Sequence, residues 1–414
     1  MQQATEIGLR LMDRLEAFAR FTDEPGRLTR LYLTPAHKAA AGELVAWMEE
    51  AGLTAKLDAI GNVVGRYEGT TPDAPALLLG SHIDTIRDAG KYDGNLGVLG
   101  ALAAVEHLAR RGERFPFAIE VVAFGDEEGV RFPTTLAGSK ALAGRFDPAT
   151  LAGSDGEGVS LRDALTRFGC DAGGIASLAR DPARTLGFVE VHIEQGPVLE
   201  AEGLPVGIVT AINGASRFIV DVTGEAGHAG TVPMVLRRDA LTAAAEMALA
   251  VEALGRATKD LVATVGRFAP TPDAVNVIPG SVRFTVDIRA PDDAVRSEAI
   301  DSMERTFATV AERRKVGLTV QRTYDVPATP CHARIIEQLS AAVAGAGLPT
   351  RLLSSGAGHD TMVLASLCPV GMLFVRCRGG ISHNPAESIT AADAGLAVDV
   401  LLRFIRAFEV PASS

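Results

Sequence analysis

The sequence predicts an α/β protein: a mostly parallel, doubly wound domain, discontinuous in the chain, with a βαββαβ ferredoxin-like domain inserted into it. Three observations carry this expectation. Short apolar, β-rich runs alternate with helical patterns, the rhythm of a parallel sheet with helical crossovers. Residues 212 to about 325 break that rhythm and follow another. The chain has 414 residues, beyond the size at which one hydrophobic core keeps growing, so two domains are the expected division.

The elements follow in order. "MQQATEIGLRLMDRLEAFARF" reads as an amphipathic helix carrying acidic residues, not as a secretory signal. "PALLLGSH" (75–82) reads as a buried strand, and "GVLGALAAVEHLARRG" (97–112) as a helix stopped at Gly112. "FAIEVVAFGDEEG" (117–129), "GFVEVHIEQG" (187–196) and "PVGMLFVRC" (369–377) read as further strands, and "GSDGEGVS" (153–160) as a turn-rich surface connection. In the insertion, "SRFIVDVTG", "DLVATVGRF", "GSVRFTVDIRA" and "GLTVQRTY" are strands. "RRDALTAAAEMALAVEALGRA" and "DDAVRSEAIDSMERTFATVAERRK" are helices between them. That order is the split βαβ pattern of a four-stranded antiparallel sheet with two helices on one face. The parallel rhythm resumes beyond it, so the catalytic domain is expected at 1–211 and 326–414 and the inserted dimerisation or lid domain at 212–325.

Composition excludes several classes. A formal net charge of −11 argues against a nucleic-acid surface, which needs a basic stripe. Cys170, Cys331, Cys368 and Cys377 show no close pairing in sequence, so neither a zinc knot nor a disulfide framework is expected. They read as buried, reduced thiols of a cytoplasmic protein. No apolar run reaches membrane-spanning length, so no membrane partner is expected.

Chemistry gathers at the strand ends. In an open parallel sheet, ligands bind outside the carboxyl ends of the strands. His82 ends the first strand, Glu127 and Glu128 close the second, and His192 lies near the end of the third. His383 follows the strand 369–377, and Asp93 sits in the Gly-rich loop of "GSHIDTIRDAGKYDGNLGVLG" (80–100). A mixed set of histidines and carboxylates suits Mn²⁺, Zn²⁺, Co²⁺ or Ni²⁺. Five ligands, His82, Asp93, Glu128, His192 and His383, exceed one open site but suit two ions if Asp93 bridges them. Asp84 could fix the tautomer of His82, and Gly90, Gly94 and Gly97 would let the backbone turn tightly. Of the adjacent pair Glu127 and Glu128, one can bind metal while the other moves protons. Glu128 is assigned to metal and Glu127 to the proton, although spacing alone leaves the order open. Any one of these residues taken singly would more often be an ordinary core, capping or surface group. The weight lies in their conjunction on one rim.

The same stretches resemble a known family. "GSHIDTIRDAGKYDGNLGVLG", "EEGVRFPTTLAGSKALAG", "VHIEQGPVLE", "GEAGHAGTVPM", "NVIPGSVRFTVDIR", "SGAGHD" and "GISHNPAE" are similar to the amidohydrolases that share a fold with co-catalytic dinuclear metallopeptidases. Within these the resemblance is to the branch containing allantoate amidohydrolase, N-carbamoyl-L-amino-acid hydrolase and β-ureidopropionase, and it spans residues 80–387. It implies two divalent metals per subunit on the five ligands, Mn²⁺ first among them, with Asp93 bridging and Glu127 as base. It implies that Gln195 bonds the ureido group, that His228 donates to the oxyanion from the other subunit of a homodimer, that Asn276 and Arg289 hold the substrate carboxylate, and that Gly358 contributes backbone groups. An arginine fork and a histidine donor suit those tasks chemically. His359 is not expected to be a ligand. The implied reaction is hydrolysis of a ureido or carbamoyl C–N bond with release of ammonia and CO₂, allantoate ahead of N-carbamoyl amino acids and N-carbamoyl-β-alanine. A dipeptidase or aminoacylase would share the metal site but not "HIEQGP". A non-catalytic relative would have lost a ligand or the base, and none is lost. The exposed edges of the insertion point to a homodimer through residues 212–325, with the cleft closing on substrate by rotation near 211 and 326.

Overall fold

The structure, a computed structural model, describes residues 2–410. Met1 and residues 411–414 lie outside the described residues. The chain divides into two compact units. One comprises the residues up to Thr210, Cys331–Leu353 and the residues from Ala357 on; the other comprises Ala211–Pro330 and Ser354–Gly356.

In chain order the first strands are β1 (Thr54–Leu57), β2 (Val63–Tyr67), β3 (Ala76–His82), β4 (Ala118–Phe124), β5 (Thr185–Ile193) and β6 (Val206–Ile212). The second unit holds β7 (Gly214–Thr223), β8 (Gly227–His228), β9 (Val262–Thr271), β10 (Val277–Ile278), β11 (Ser281–Ala290), β12 (Gly317–Val326) and β13 (Thr329–Pro330), and the chain ends with β14 (Leu352–Ser355) and β15 (Val370–Val375).

The large sheet has the order β1-β2-β4-β3-β5-β15-β6-β13, with β14 beside β6. Its centre, β4-β3-β5-β15, is parallel throughout. These four strands are buried at every residue, as strands covered on both faces must be, which is why they read as unbroken apolar runs. The flanks are antiparallel: β1 on β2, β2 on β4 and β6 on β15. The sheet is therefore mixed, parallel where the candidate site lies and antiparallel outside it. Helices Gln2–Phe18, Asn95–Arg110, Ala333–Gly345 and Ala391–Ala407 contribute Leu11, Leu99, Leu339 and Leu401 to the main core. Among the described residues no helix is long and apolar enough to cross a membrane.

In the second unit, four strands run antiparallel in the order β12-β7-β11-β9. Strand β11 alternates strictly: Val282, Phe284, Val286, Ile288 and Ala290 are buried, with Phe218, Val220 and Val222 of β7 alongside them. Helix Ala240–Ala257, capped by the Asp239 carboxylate, brings Ala243, Ala244, Met247 and Val251 to this core, and helix Asp293–Arg314 brings Ile300, Met303 and Phe307. The opposite face is polar and laced with ion pairs, Arg217–Asp287 and Arg283–Asp221. This unit runs past the expected 212–325. Thr329 and Pro330 pair back onto Ile212 and Ala211, the Asn213 N–H donates to the Ser355 carbonyl, and Arg289 Nη1 donates to the Gly356 carbonyl at 2.7 Å.

Candidate metal centre

The order β4-β3-β5-β15 sets the site. These strands are parallel neighbours, so their carboxyl ends share a rim. His82 is the last residue of β3, His192 lies one residue before the end of β5, and Glu127 and Glu128 follow β4 by a short turn in which Asp126 takes a left-handed conformation. His383, itself left-handed at φ 54°, follows β15. Asp93 precedes the helix Asn95–Arg110. Gly94, at φ 65°, caps that helix, and a β-carbon there would lie 2.4 Å from the His82 ring. Only glycine lets the loop pass this close. The other two glycines act differently from the expected tight turns. Gly97 lies inside the helix, where a β-carbon would meet the Val191 carbonyl at 2.2 Å, and Gly90 makes room for the side chain of Glu387.

Two groups of side chains share Asp93. His82, Asp93 and His192 offer ligand atoms all within 4.8 Å of one another, and so do Asp93, Glu128 and His383. His82 Nε2 is 3.3 Å and His192 Nε2 3.1 Å from Asp93 Oδ1, while His383 Nε2 is 3.5 Å from Asp93 Oδ2 and 3.6 Å from Glu128 Oε2. Each carboxylate oxygen of Asp93 thus faces its own group. Glu127 falls into a third group with His82 and Glu128, its Oε2 being 4.0 Å from His82 Nε2.

The histidines carry the test of fit. His82 Nδ1 lies 2.9 Å from the Asp84 carbonyl and His192 Nδ1 2.9 Å from the Ile193 carbonyl. A carbonyl only accepts, so each Nδ1 bears the proton. The neutral rings then present both Nε2 lone pairs to one carboxylate oxygen, that of His192 also accepting from Gly94 N–H at 3.3 Å. That arrangement needs positive charge between the partners, a proton or a cation, and these are the donor atoms that divalent ions of the zinc and manganese type take up.

The electrostatics agree. Burial alone would lower the His82 pKa, but Glu127, Asp93 and Asp84 together raise it well above the usual range. Burial likewise works against protonation of His192, and Asp93 and Glu190 outweigh it. Burial would raise Asp93, but His192 and His82 hold it well below the carboxylate range. Glu127 is pushed well up, by burial first and then by Glu128, Asp360 and Asp84 against the pull of His82. Glu128 is pushed up by burial and by Asp93. A buried excess of carboxylates holds protons until a cation replaces them.

Asp84 orients His82 through its backbone carbonyl. Its carboxylate lies 3.9 Å from the same Nδ1 and turns instead to the backbone of the glutamate pair. Oδ1 accepts from Glu127 N–H at 3.1 Å and Oδ2 from Glu128 N–H at 3.2 Å. One carboxylate thereby holds both glutamates in register. Gln195, expected to meet substrate, donates its amide to Asp93 Oδ2 at 2.8 Å and to Ser382 Oγ at 3.0 Å. Gly358 lies just before His359, in the turn ahead of the short helix Thr361–Leu364. His359 is buried, its ring edge-on to His192 with centroids 4.5 Å apart, and it forms a further group with Glu190 and His192. Glu190 is already engaged, accepting from Ser81 Oγ at 2.7 Å and Thr361 Oγ1 at 2.6 Å.

His228, Asn276 and Arg289 belong to the second unit. His228, exposed, pairs with Val277 between the two-residue strands β8 and β10 of that unit. Its Nδ1 accepts from Gly230 N–H at 3.1 Å, so in the neutral ring Nε2 carries the proton and can donate outward. Asn276 is exposed, and its carbonyl accepts from Ala229 N–H at 3.0 Å. Arg289 is half-buried and grips Asp287 with two bonds of 2.8 and 3.0 Å. The fork expected for a substrate carboxylate is engaged by a protein carboxylate. Ser382 and Glu387 also touch the Asp93 loop and were not singled out by pattern. Their one sequence signal is that they flank His383 in "SHNPAE".

These features place the chain among the α/β proteins that gather histidines and carboxylates on the carboxyl rim of a parallel sheet, where divalent ions bind. It belongs to peptidase family M20/M25/M40, whose sequence signature matches residues 78–407. It is 42% identical to allantoate deiminase 1 of Glycine max over 93% of this chain and 86% of that protein. It is 41% identical to an N-carbamoyl-L-amino acid amidohydrolase of Geobacillus stearothermophilus, over 95% of this chain and 97% of that one. Among solved structures, an amidase of the hydantoinase/carbamoylase family from Burkholderia multivorans superposes with a TM-score of 0.90 at 36% identity, covering 97% of this chain and 98% of that one.

Proposed function

We propose that the protein hydrolyses a ureido or carbamoyl C–N bond in a small carboxylate-bearing molecule, allantoate first, releasing ammonia and CO₂. The observation that carries this reading is the pair of side-chain groups sharing Asp93, with Glu127 beside them. The relatives named for allantoate and for N-carbamoyl-L-amino acids support the substrate class. N-Carbamoyl-L-amino acids and N-carbamoyl-β-alanine are the alternatives, since all three present a carboxylate together with a ureido group.

We assign His82, Asp93 and His192 to one divalent ion and Asp93, Glu128 and His383 to the other, with Mn²⁺ ahead of Zn²⁺, Co²⁺ and Ni²⁺. When bound, the ions would polarise the scissile carbonyl and lower the pKa of water. Glu127 takes a proton from the attacking water at its carboxylate and gives it to the leaving nitrogen, a task suited by a carboxylate with a raised pKa. Asp84 keeps the two glutamates apart in role by holding their backbones. His228 donates from Nε2 to the developing oxyanion. Asn276 and Arg289 take the substrate carboxylate, Arg289 by exchanging Asp287 or the Gly356 carbonyl for it. Gln195 bonds the ureido group by leaving Asp93, and Gly358 offers backbone groups.

The second unit supports a homodimer. Strand β9 lies at the edge of its sheet, and Leu249, Val262 and Phe268 expose large apolar surface at that edge and on the helix beside it. Four free, buried cysteines suit a reducing cytoplasm. The test of the reaction is ammonia release from the Mn²⁺-loaded protein with allantoate, N-carbamoyl-L-amino acids and N-carbamoyl-β-alanine side by side. Allantoate is expected to turn over fastest. Inertness toward all three, or faster cleavage of dipeptides, would overturn the reading.

A further inference from the structure

One short loop both carries His383 and holds Asp93. Ser382 Oγ donates to Asp93 Oδ2 at 2.8 Å. Five residues on, Glu387 Oε1 accepts from Tyr92 N–H at 2.8 Å and from Asp93 N–H at 3.1 Å. Glu387 is buried, and its second oxygen is buried as well with no hydrogen-bond partner. The fit is tight: a β-carbon on Gly90 would lie 2.4 Å from Glu387 Cβ, Cδ and Oε1. Nearly 300 residues of sequence separate the two segments, yet two side chains of one pin the backbone and the carboxylate of the other.

We infer that Ser382 and Glu387 are positioning residues for the bridge: they fix the Asp93 loop from the His383 loop, so that both ion sites form together. This rests on the metal reading above and deepens it. Glu387 fixes the loop by offering one acceptor to two adjacent N–H groups, so reach matters and charge does not. Because both ions share Asp93, a shift in its loop acts on both sites. Partners that orient metal ligands in this way typically account for about 10- to 100-fold in metal affinity.

The experiment is calorimetric titration of the metal-free protein with Mn²⁺ alone, with melting of the metal-free forms as a control. Glu387→Asp keeps the charge and shortens the reach by one methylene. It is expected to weaken both ions at least about tenfold, while the metal-free melting temperature stays near the parent's. Glu387→Gln keeps an acceptor in place and is expected to bind Mn²⁺ like the parent. Ser382→Ala is expected to weaken binding severalfold and serves as the readout should Glu387→Asp not fold. Parent affinity in Glu387→Asp, or in Ser382→Ala where that variant stands in, would overturn the inference, as would Glu387→Gln failing like Glu387→Asp. Asp93→Ala separates the two levels. If it loses both ions while the loop variants keep them, the inference alone falls. If it keeps both ions, the metal reading falls and the inference with it.

Discussion

Glu127 and Glu128 differ at the level of single atoms. Their backbone N–H groups go to the two oxygens of Asp84, so neither glutamate can slide into the place of the other. Glu128 reaches His383 and Asp93, whereas Glu127 reaches His82 alone among the histidines. Glu127→Gln is expected to keep the full metal complement and to lose turnover by at least about 10²-fold, the usual contribution of general acid–base catalysis. Asp93→Ala is expected to lose both ions. Metal analysis beside steady-state rates checks both, and near-normal turnover in Glu127→Gln would exchange the roles of the two glutamates.

The helix Pro35–Glu50 shows what burial does within an element. Thr34 caps it, and His37 in its first turn is fully buried against Tyr32 and Phe168. His37 Nδ1 accepts from Leu33 N–H at 2.9 Å. Burial first, then the charges of Arg30 and Arg131, push its pKa down to about 3. The folded protein therefore keeps this ring neutral, while the unfolded chain takes up a proton below about pH 6.5. Stability from this group is complete above that pH. It falls as the pH drops toward about 3, at up to about 1.4 kcal/mol per pH unit. Between pH 7 and pH 5 the parent is expected to lose about 2 kcal/mol more than His37→Gln. Trp47, the chain's one tryptophan, lies on the same helix, so its fluorescence during urea unfolding reads the difference. Parallel pH slopes in the two proteins would remove His37 as the cause.

For the whole molecule the open question is assembly. A strand edge with free backbone groups and apolar side chains pairs readily with another copy, and twofold dimers are the commonest outcome. Light scattering is expected to give twice the 43.2 kDa of one chain. Leu249→Glu is expected to shift the mass toward the monomer, since Leu249 is 66% exposed and contributes little to its own core. A monomer in the parent at working concentrations would remove both the dimer and a role for His228 across it.

The central strands and the helices were legible in sequence because burial writes itself locally. A strand covered on both faces is an apolar run, and an amphipathic helix repeats every 3.6 residues. Hence "PALLLGSH" announced β3 to within a residue. Strands β1 and β2 went unread because one is short and half-exposed and the other is broken by Gly65 and Arg66, whereas β6, "VGIVTAI", is an apolar, largely buried run that went unread beside the start of the insertion. The residue types at the rim were also determined by the sequence, since a residue at the carboxyl end of a parallel strand must face the ligand side. Only the tertiary structure decided which atoms meet. Asp84 turns its carboxylate to the glutamates rather than to His82, Gly90 yields its space to Glu387, and Ser382 reaches Asp93. No local pattern encodes such contacts. They depend on the order in which strands enter the sheet and on the path of loops between them, and both are set by packing across hundreds of residues.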